Sequence, residues 1–241
     1  MNDELEMINA LMSEMADDEP VLIKVVSLDV QHDEKLANLK PFVEGVTFVN
    51  STESTNVQTL LENVSLLLLL SENSNQINQI AEIAASKGIL TFVPVVQSFS
   101  VDNTNFVELC HSDVSKSENQ RLVEIIKNFI DLLVKSGMIN INLQDIKETL
   151  ALASTVNVAV GSGEGKHRAN QTIEQALNLV DIKQAKSVVV AISAANVEME
   201  EFDVVGQALH ESLNENATVK IGLCGDEQQA EKMTLTVFVT L

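Results

Sequence analysis

The chain has 241 residues, of which 45% are apolar, with 15 Lys+Arg against 35 Asp+Glu, a formal charge of −20, and neither Trp nor Tyr. The apolar fraction is enough to bury a core and excludes wholesale disorder, while the length allows one large domain or two small ones. The negative charge and scarcity of aromatic rings argue against nucleic acid and against anionic membrane surfaces as partners.

Residues 3–15 carry Leu5, Ile8, Met12 and Met15 at helical spacing, until Asp17, Asp18, Glu19 and Pro20 stop the pattern. This acidic start has no basic region, so it does not read as a signal peptide; it reads as a short amphipathic helix on the domain edge. Residues 21–28 form a continuous apolar run, as in a buried strand, and residues 46–49 read as a second. A helix over 54–63 leads to a strand over 64–70, whose apolar run is far too short to span a bilayer. Ile77, Ile80, Ala81 and Ala84 line one face of a helix over 74–87, with Gly88 as its C-terminal stop, and residues 89–96 read as a further buried strand. This alternation predicts βαβ units around a parallel sheet.

Residues 117–136 give the clearest helix. Ser117 and Gln120 have capping-box spacing, and Leu122, Ile125, Ile126, Phe129, Leu132 and Leu133 make an apolar face wide enough to pack on both sides. A central helix between two subdomains follows from that width. Next come a helix over 143–152, a strand over 155–160, a glycine-containing turn, a helix over 166–178, a strand over 187–193 and a helix over 200–213. Two last strands, over 217–224 and 233–241, are separated by a polar turn and are expected to pair as an antiparallel hairpin or as neighbours.

The chemistry-bearing motifs are weak. Gly161-Ser162-Gly163-Glu164-Gly165-Lys166 lies between a strand and a helix, where a phosphate loop would lie, but its spacing fails both the Walker and the dinucleotide patterns. Glu164 would also turn a negative charge toward a phosphate. A structural turn is the favoured reading. His32, His111, His167 and His210 are scattered and form no metal motif, and no serine sits in a nucleophile elbow. Cys110 and Cys224 read as buried free thiols of a cytoplasmic protein. Paired carboxylates carry little information in so acidic a chain.

Residues 138–146, Met-Ile-Asn-Ile-Asn-Leu-Gln-Asp-Ile, resemble the synergy loop of FtsZ, the bacterial tubulin relative, which reads approximately Asn-x-Asp-x-x-Asp after a long central helix. Gly161-Ser162-Gly163 with Arg168-Ala169 resembles the family's Gly-x-Gly…Arg-Ala segment, and residues 202–206 and 216–222 look like proteobacterial members. The likeness runs over 117–241 and is fainter before it, where residues 21–26, 45–50, 87–96 and Ser98-Phe99-Ser100 are similar to family strands. The resemblance implies an α/β fold of the tubulin/FtsZ type: a truncated Rossmann-like nucleotide-binding subdomain over 1–116, a central helix over 117–137 and an α/β C-terminal subdomain over 138–241.

The resemblance also locates what has changed. In the family, a glycine-rich turn after the first strand and a Gly-Gly-Gly-Thr-Gly-type loop bind the GTP phosphates, because backbone N–H groups must close round them without a Cβ in the way. The corresponding turns here contain Ser27 and Asp29, and Ser71, Glu72, Asn73 and Ser74, with no glycine. A carboxylate about 4 Å from a phosphate charge costs roughly 1 kcal/mol even in bulk water. In the synergy loop Asn140 and Asp145 keep the pattern, but Asn142 replaces a carboxylate and cannot accept a proton. Asn142 also suits a helix N-cap, with Asp145 favourable in the first turn.

These likenesses imply a pseudo-GTPase with no cofactor and no catalytic or metal residues, acting through contact with authentic FtsZ or by self-association. Two alternatives stand beside it: an active GTPase with a remodelled pocket, in which GTP or GDP would be the ligand, and a structural homo-oligomer unrelated to division. Because the sequence stops at the last core strand, tethering through the family's C-terminal membrane-adaptor peptide is not expected.

Overall fold

A computed structural model describes residues 21–54, 56–95, 105–135 and 137–241. The helix expected over 3–15, the end of the strand expected at Val96, the Ser98-Phe99-Ser100 motif and the helix end at Ser136 lie outside the described residues.

In chain order the first half comprises β1 (Ile23–Ser27), α1 (Val30–Leu39), β2 (Thr47–Val49), α2 (Val57–Leu60), β3 (Leu66–Leu70), α3 (Ser74–Ser86), β4 (Leu90–Val95) and β5 (Val107–His111). The second half comprises α4 (Glu118–Val134), α5 (Leu143–Thr149), β6 (Thr155–Glu164), α6 (Arg168–Leu179), β7 (Ser187–Ala194), α7 (Met199–Ser212), β8 (Thr218–Gly225) and β9 (Lys232–Thr240). The strands form one sheet in the order β2-β1-β3-β4-β5-β6-β9-β7-β8.

From β2 to β6 every pairing is parallel. Parallel strands need crossovers, and the crossover helices cover both faces. β3 illustrates the result. Leu66, Leu68 and Leu70 join one cluster with Leu36 and Leu39 of α1 and Ile125, Ile126 and Phe129 of α4, whereas Leu67 and Leu69 join another with Ile77, Ile80 and Ala84 of α3. A five-leucine strand is therefore buried on both sides. Pro94 is tolerated inside β4 because β3 pairs only as far as Phe92, so no ladder bond needs its missing N–H on that side.

The Ser117–Gln120 capping box is present at the start of α4, as its spacing predicts. The helix packs on β4 and β5 and also on β8. At its centre Phe129 meets Phe92 of β4 at 4.8 Å and Phe238 of β9 at 5.6 Å between ring centroids. All three rings are fully buried. One side chain thus ties an early strand, the long helix and the last strand together.

Several expectations change. The two last strands are neither a hairpin nor neighbours. β8 lies at the sheet edge, parallel to β7, while β9 inserts between β6 and β7, antiparallel to both. Its residues are buried from Leu235 to Thr240, so it belongs in the middle of the sheet rather than at an edge. The glycine segment is not a turn either, since β6 continues through Gly161 and Gly163 to Glu164. A Cβ on Gly161 would lie 2.0 Å from the Thr172 carbonyl oxygen, and one on Gly163 would lie 2.4 Å from that of Arg168. These glycines let α6 press directly on the strand; Gly165, with φ of +73°, makes the turn.

The helix expected over 54–63 shrinks to α2, capped by Asn56, and Asn63 turns the chain with φ of +49°. α1 and β5 were not anticipated. α1 offers only Leu36 and Leu39 as buried apolar residues, and Glu108 and His111 interrupt the apolar pattern of β5.

Phe129→Ala should lower the unfolding free energy by about 3–5 kcal/mol, as cavity-forming aromatic truncations do, and urea denaturation measures it. Gly206 sits inside α7 with open space where its Cβ would be. Gly206→Ala should therefore stabilise the chain by about 0.5–1 kcal/mol and raise its melting temperature by a few degrees in calorimetry.

Candidate functional site

The order 2-1-3-4-5 of the first five strands is that of a doubly wound sheet, in which ligands bind at the carboxyl ends of the strands where the winding reverses. Here that point lies between β1 and β3. The turns that follow those strands hold Ser27, Asp29, Ser71, Glu72, Asn73 and Ser74.

The two turns at that point are bonded to one another by their own side chains. Asp29 is the N-cap of α1, and its Oδ1 accepts the His32 backbone N–H at 2.9 Å and lies 2.7 Å from His32 Nδ1. Ser71 Oγ donates to Asp29 Oδ2 at 3.1 Å and accepts the Asn73 N–H at 3.0 Å. Ser27 Oγ donates to the Asp29 carbonyl at 2.8 Å. Asn73 caps α3 by accepting the Gln76 N–H. One turn into α1, Asp33 accepts the Ser51 N–H at 2.8 Å and the Ser51 hydroxyl at 2.5 Å.

Helix N-termini attract anions because their first N–H groups lack partners and the helix dipole is positive there. At α1 the anion is already present, as a carboxylate of the chain. Burial pushes the Asp29 carboxyl up, but the side-chain and backbone hydrogen bonds from His32 and the bond from Ser71 outweigh it and hold the group below its ordinary value. Asp33 is lowered too: desolvation raises it, and the two bonds from Ser51 more than compensate. The adjoining hollow, lined by Lys35, Leu39, Leu70, Asn119 and Leu122, has a volume of about 10 Å³. That is about the room of one water.

The structure therefore gathers Ser27, Asp29, Ser71 and Asn73 into one network, places Ser74 as the first residue of α3, and leaves Glu72 exposed to solvent beside them. Sequence reasoning missed His32, Asp33 and Ser51. The signal available was Asp29 ahead of Leu36 and Leu39 at helical spacing, which marks a cap and a helix.

The other candidate residues lie at the opposite end of the parallel strands, ahead of β6. Asn142 is the N-cap of α5 in a reciprocal capping box: its Oδ1 accepts the Asp145 N–H at 2.9 Å, and Asp145 Oδ2 accepts the Asn142 N–H at 3.0 Å. The other Asp145 oxygen pairs with Lys220 of β8 at 2.7 Å. Asn140 Oδ1 accepts the Gly137 N–H at 3.0 Å. Both Asp145 oxygens are thus engaged, and the amide of Asn142 supplies structure.

The remaining motif residues have structural partners. Arg168 is buried, with Nε 2.7 Å and Nη2 2.9 Å from the two Glu201 oxygens. His111 is buried, accepts the Asp113 N–H on Nδ1 and lies 2.8 Å from Glu124 through Nε2. His167 and His210 are exposed. Cys224 is buried and Cys110 half-buried; burial pushes their thiols up to about 11 and about 12. Among the described residues no group of three or more His, Cys, Asp or Glu is placed to hold a metal, and no helix is long and apolar enough to cross a membrane.

The model of the FtsZ family C-terminal domain matches residues 154–241. Cell division protein FtsZ 1 of Thermococcus kodakarensis is 25% identical over 195 residues, 67% of this chain and 52% of its own length. Cell division protein FtsZ of Coxiella burnetii is 30% identical over 131 residues, 52% of this chain and 34% of its own. Among solved structures, an FtsZ point variant from M. jannaschii superposes with a TM-score of 0.75 at 15% identity, covering 100% of this chain and 96% of that one. An empty FtsZ dimer from the same source gives 0.74 at 16% identity, covering 97% and 92%. Residues 154–241 match the FtsZ C-terminal domain, and the fold of the whole chain is that of the FtsZ structures. The chain spans between a third and about half of the length of these curated relatives.

Asp29→Ala should cost about 1–2 kcal/mol at neutral pH, the value of an N-cap, in urea unfolding. Because the folded carboxyl titrates below its unfolded value, its contribution is complete above the ordinary carboxylate pKa of about 3.9 and is lost as pH falls through the lower, folded value. The gap between wild type and Asp29→Ala should therefore narrow on acidification below that point.

Proposed function

We propose that this is an FtsZ-like protein that works without nucleotide, through protein–protein contact in cell division. The observation that carries this reading is the crevice between β1 and β3, where the Asp29 carboxylate caps α1 and is bonded to His32 and Ser71. A nucleotide phosphate would have to displace a bonded carboxylate and then sit beside it. Low dielectric makes that repulsion several times larger than in bulk water.

Docking onto authentic FtsZ would use the face carrying Asn140, Asn142 and Asp145, which would enter a GTP-loaded pocket without supplying the first carboxylate of the synergy loop. With the turns of its own crevice bonded to one another, the chain would accept no further subunit in the family's manner, and so would cap or modulate filaments. Self-association is a second reading, supported by the similarity to the empty FtsZ dimer and by exposed apolar residues at both strand ends, Val30 and Val114 at one and Leu152 and Met138 at the other.

Calorimetric titration of the purified chain with GTP and magnesium should give no binding heat, and acid extraction should release no guanine nucleotide. Tight binding, or stoichiometric co-purified GDP, would establish the remodelled-GTPase alternative instead. Substoichiometric chain should reduce FtsZ sedimentation and GTP turnover; unchanged values would remove the capping role. Light scattering without FtsZ or nucleotide reads self-association directly, and a strict monomer excludes it.

A further inference from the structure

The sheet is stepped at the end where its parallel strands begin. Leu90 and Thr91 of β4 pair with Leu66 and Leu67 of β3, but β5 joins only at Phe92, opposite Val107. β6 joins one step later, with Thr155 opposite Glu108. Beside the first residues of β4 opens a hollow of about 490 Å³. Its lining includes the end of α3 at Ala85 and Gly88, and residues 151–154, which lead from α5 to β6. Gly88 has open space where a Cβ would be.

Two features of the wall point to an occupant. The first is Thr91, which forms part of it. Thr91 is 3% exposed, and its hydroxyl has no hydrogen-bond partner. A buried hydroxyl left unpaired costs stability, and valine would fill the same place in a strand without that cost. The second is charge. A chain with 15 Lys+Arg and 35 Asp+Glu puts none of them among the described residues that line this hollow. The lining includes Ile89, Phe92, Phe106 and Val107, all buried, and Leu152, which is 80% exposed. An ionised ligand would lose its hydration here and find no counter-charge. The volume is within the range of small-molecule sites, roughly 300–1,000 Å³.

We propose that this hollow binds a neutral, largely apolar small molecule whose polar group bonds to the Thr91 hydroxyl. The apolar lining supplies the affinity, and Thr91 fixes the orientation. Leu152 then gains an apolar neighbour in place of water. The hollow stands at the opposite end of the parallel strands from the crevice between β1 and β3, so this site does not depend on whether nucleotide binds there.

Fluorescence titration of the full chain with N-phenylnaphthylamine tests it, because that neutral aromatic amine brightens when it leaves water. Binding should saturate at one molecule per chain and shift the amide signals of Thr91, Phe106, Val107 and Ser154, leaving those of α6 in place. Anilinonaphthalene sulfonate, which has the same rings and an anionic group, should bind about tenfold more weakly or worse. Thr91→Val should raise the melting temperature of the free chain by a few degrees and yet weaken the neutral probe about three- to tenfold. Leu152→Glu, at an exposed position, should weaken it several-fold with the α6 signals unchanged. Absence of saturable binding, which would leave a water-filled hollow only, overturns the proposal. So do shifts centred elsewhere, equal binding of the sulfonate, or a Thr91→Val variant that is stabilised but binds the neutral probe as before.

Discussion

The fold hangs on where β9 goes. β6 and β7 would each expose a long ladder of unpaired backbone groups if they stood alone, and β9 satisfies both at once by lying antiparallel between them. It also brings Phe238 to Phe129, so the strand that joins two sections of the sheet also contacts the helix that runs beneath them. Hydrogen bonding and aromatic packing are supplied by the same nine residues. The pairing is non-local in sequence: residues 156–164 wait for residues 232–240, an arrangement that slows folding relative to the local contacts of α4.

The two ends of the parallel strands carry opposite kinds of polar closure. At the β1–β3 end, Asp29, Ser71 and Asn73 satisfy two helix N-termini and each other. At the other end, Asn142 and Asp145 satisfy α5, and Asp145 reaches Lys220 across to the edge strand. Each residue that the family resemblance marks as a relict of nucleotide chemistry, Glu72 aside, has a place in local structure. Caps need a short polar side chain with an oxygen, and Asp, Asn and Ser all qualify.

The parts of the fold visible in the sequence are those where one local rule decides. β3 is a run of five leucines, and α4 announces itself with a capping box and a wide apolar face. α1 is hidden because its charged surface masks two buried leucines, and its cap is hidden with it, which is why the bonding of Asp29 to His32 and Ser71 appears only in three dimensions. β5 is hidden because His111 and Glu108 look like surface residues; His111 is buried with both ring nitrogens engaged. The position of β9 has no local signature, since adjacency in a sheet is decided by which strands lack partners. Gly161 and Gly163 read as a turn because glycine serves both turns and close packing, and only the approach of α6 separates the two uses.

Asp29 has a thermodynamic consequence. A ligand that binds a folded state stabilises it by an amount that rises with the logarithm of its concentration, so a protein filled by a diffusible anion reports the supply of that anion. A carboxylate tethered two residues beyond the end of β1 has a fixed local concentration that no change in the surroundings dilutes. The α1 terminus therefore carries its own anion, covalently attached. Protonating Asp29, which despite burial its hydrogen bonds push to lower pH, is what would weaken that cap.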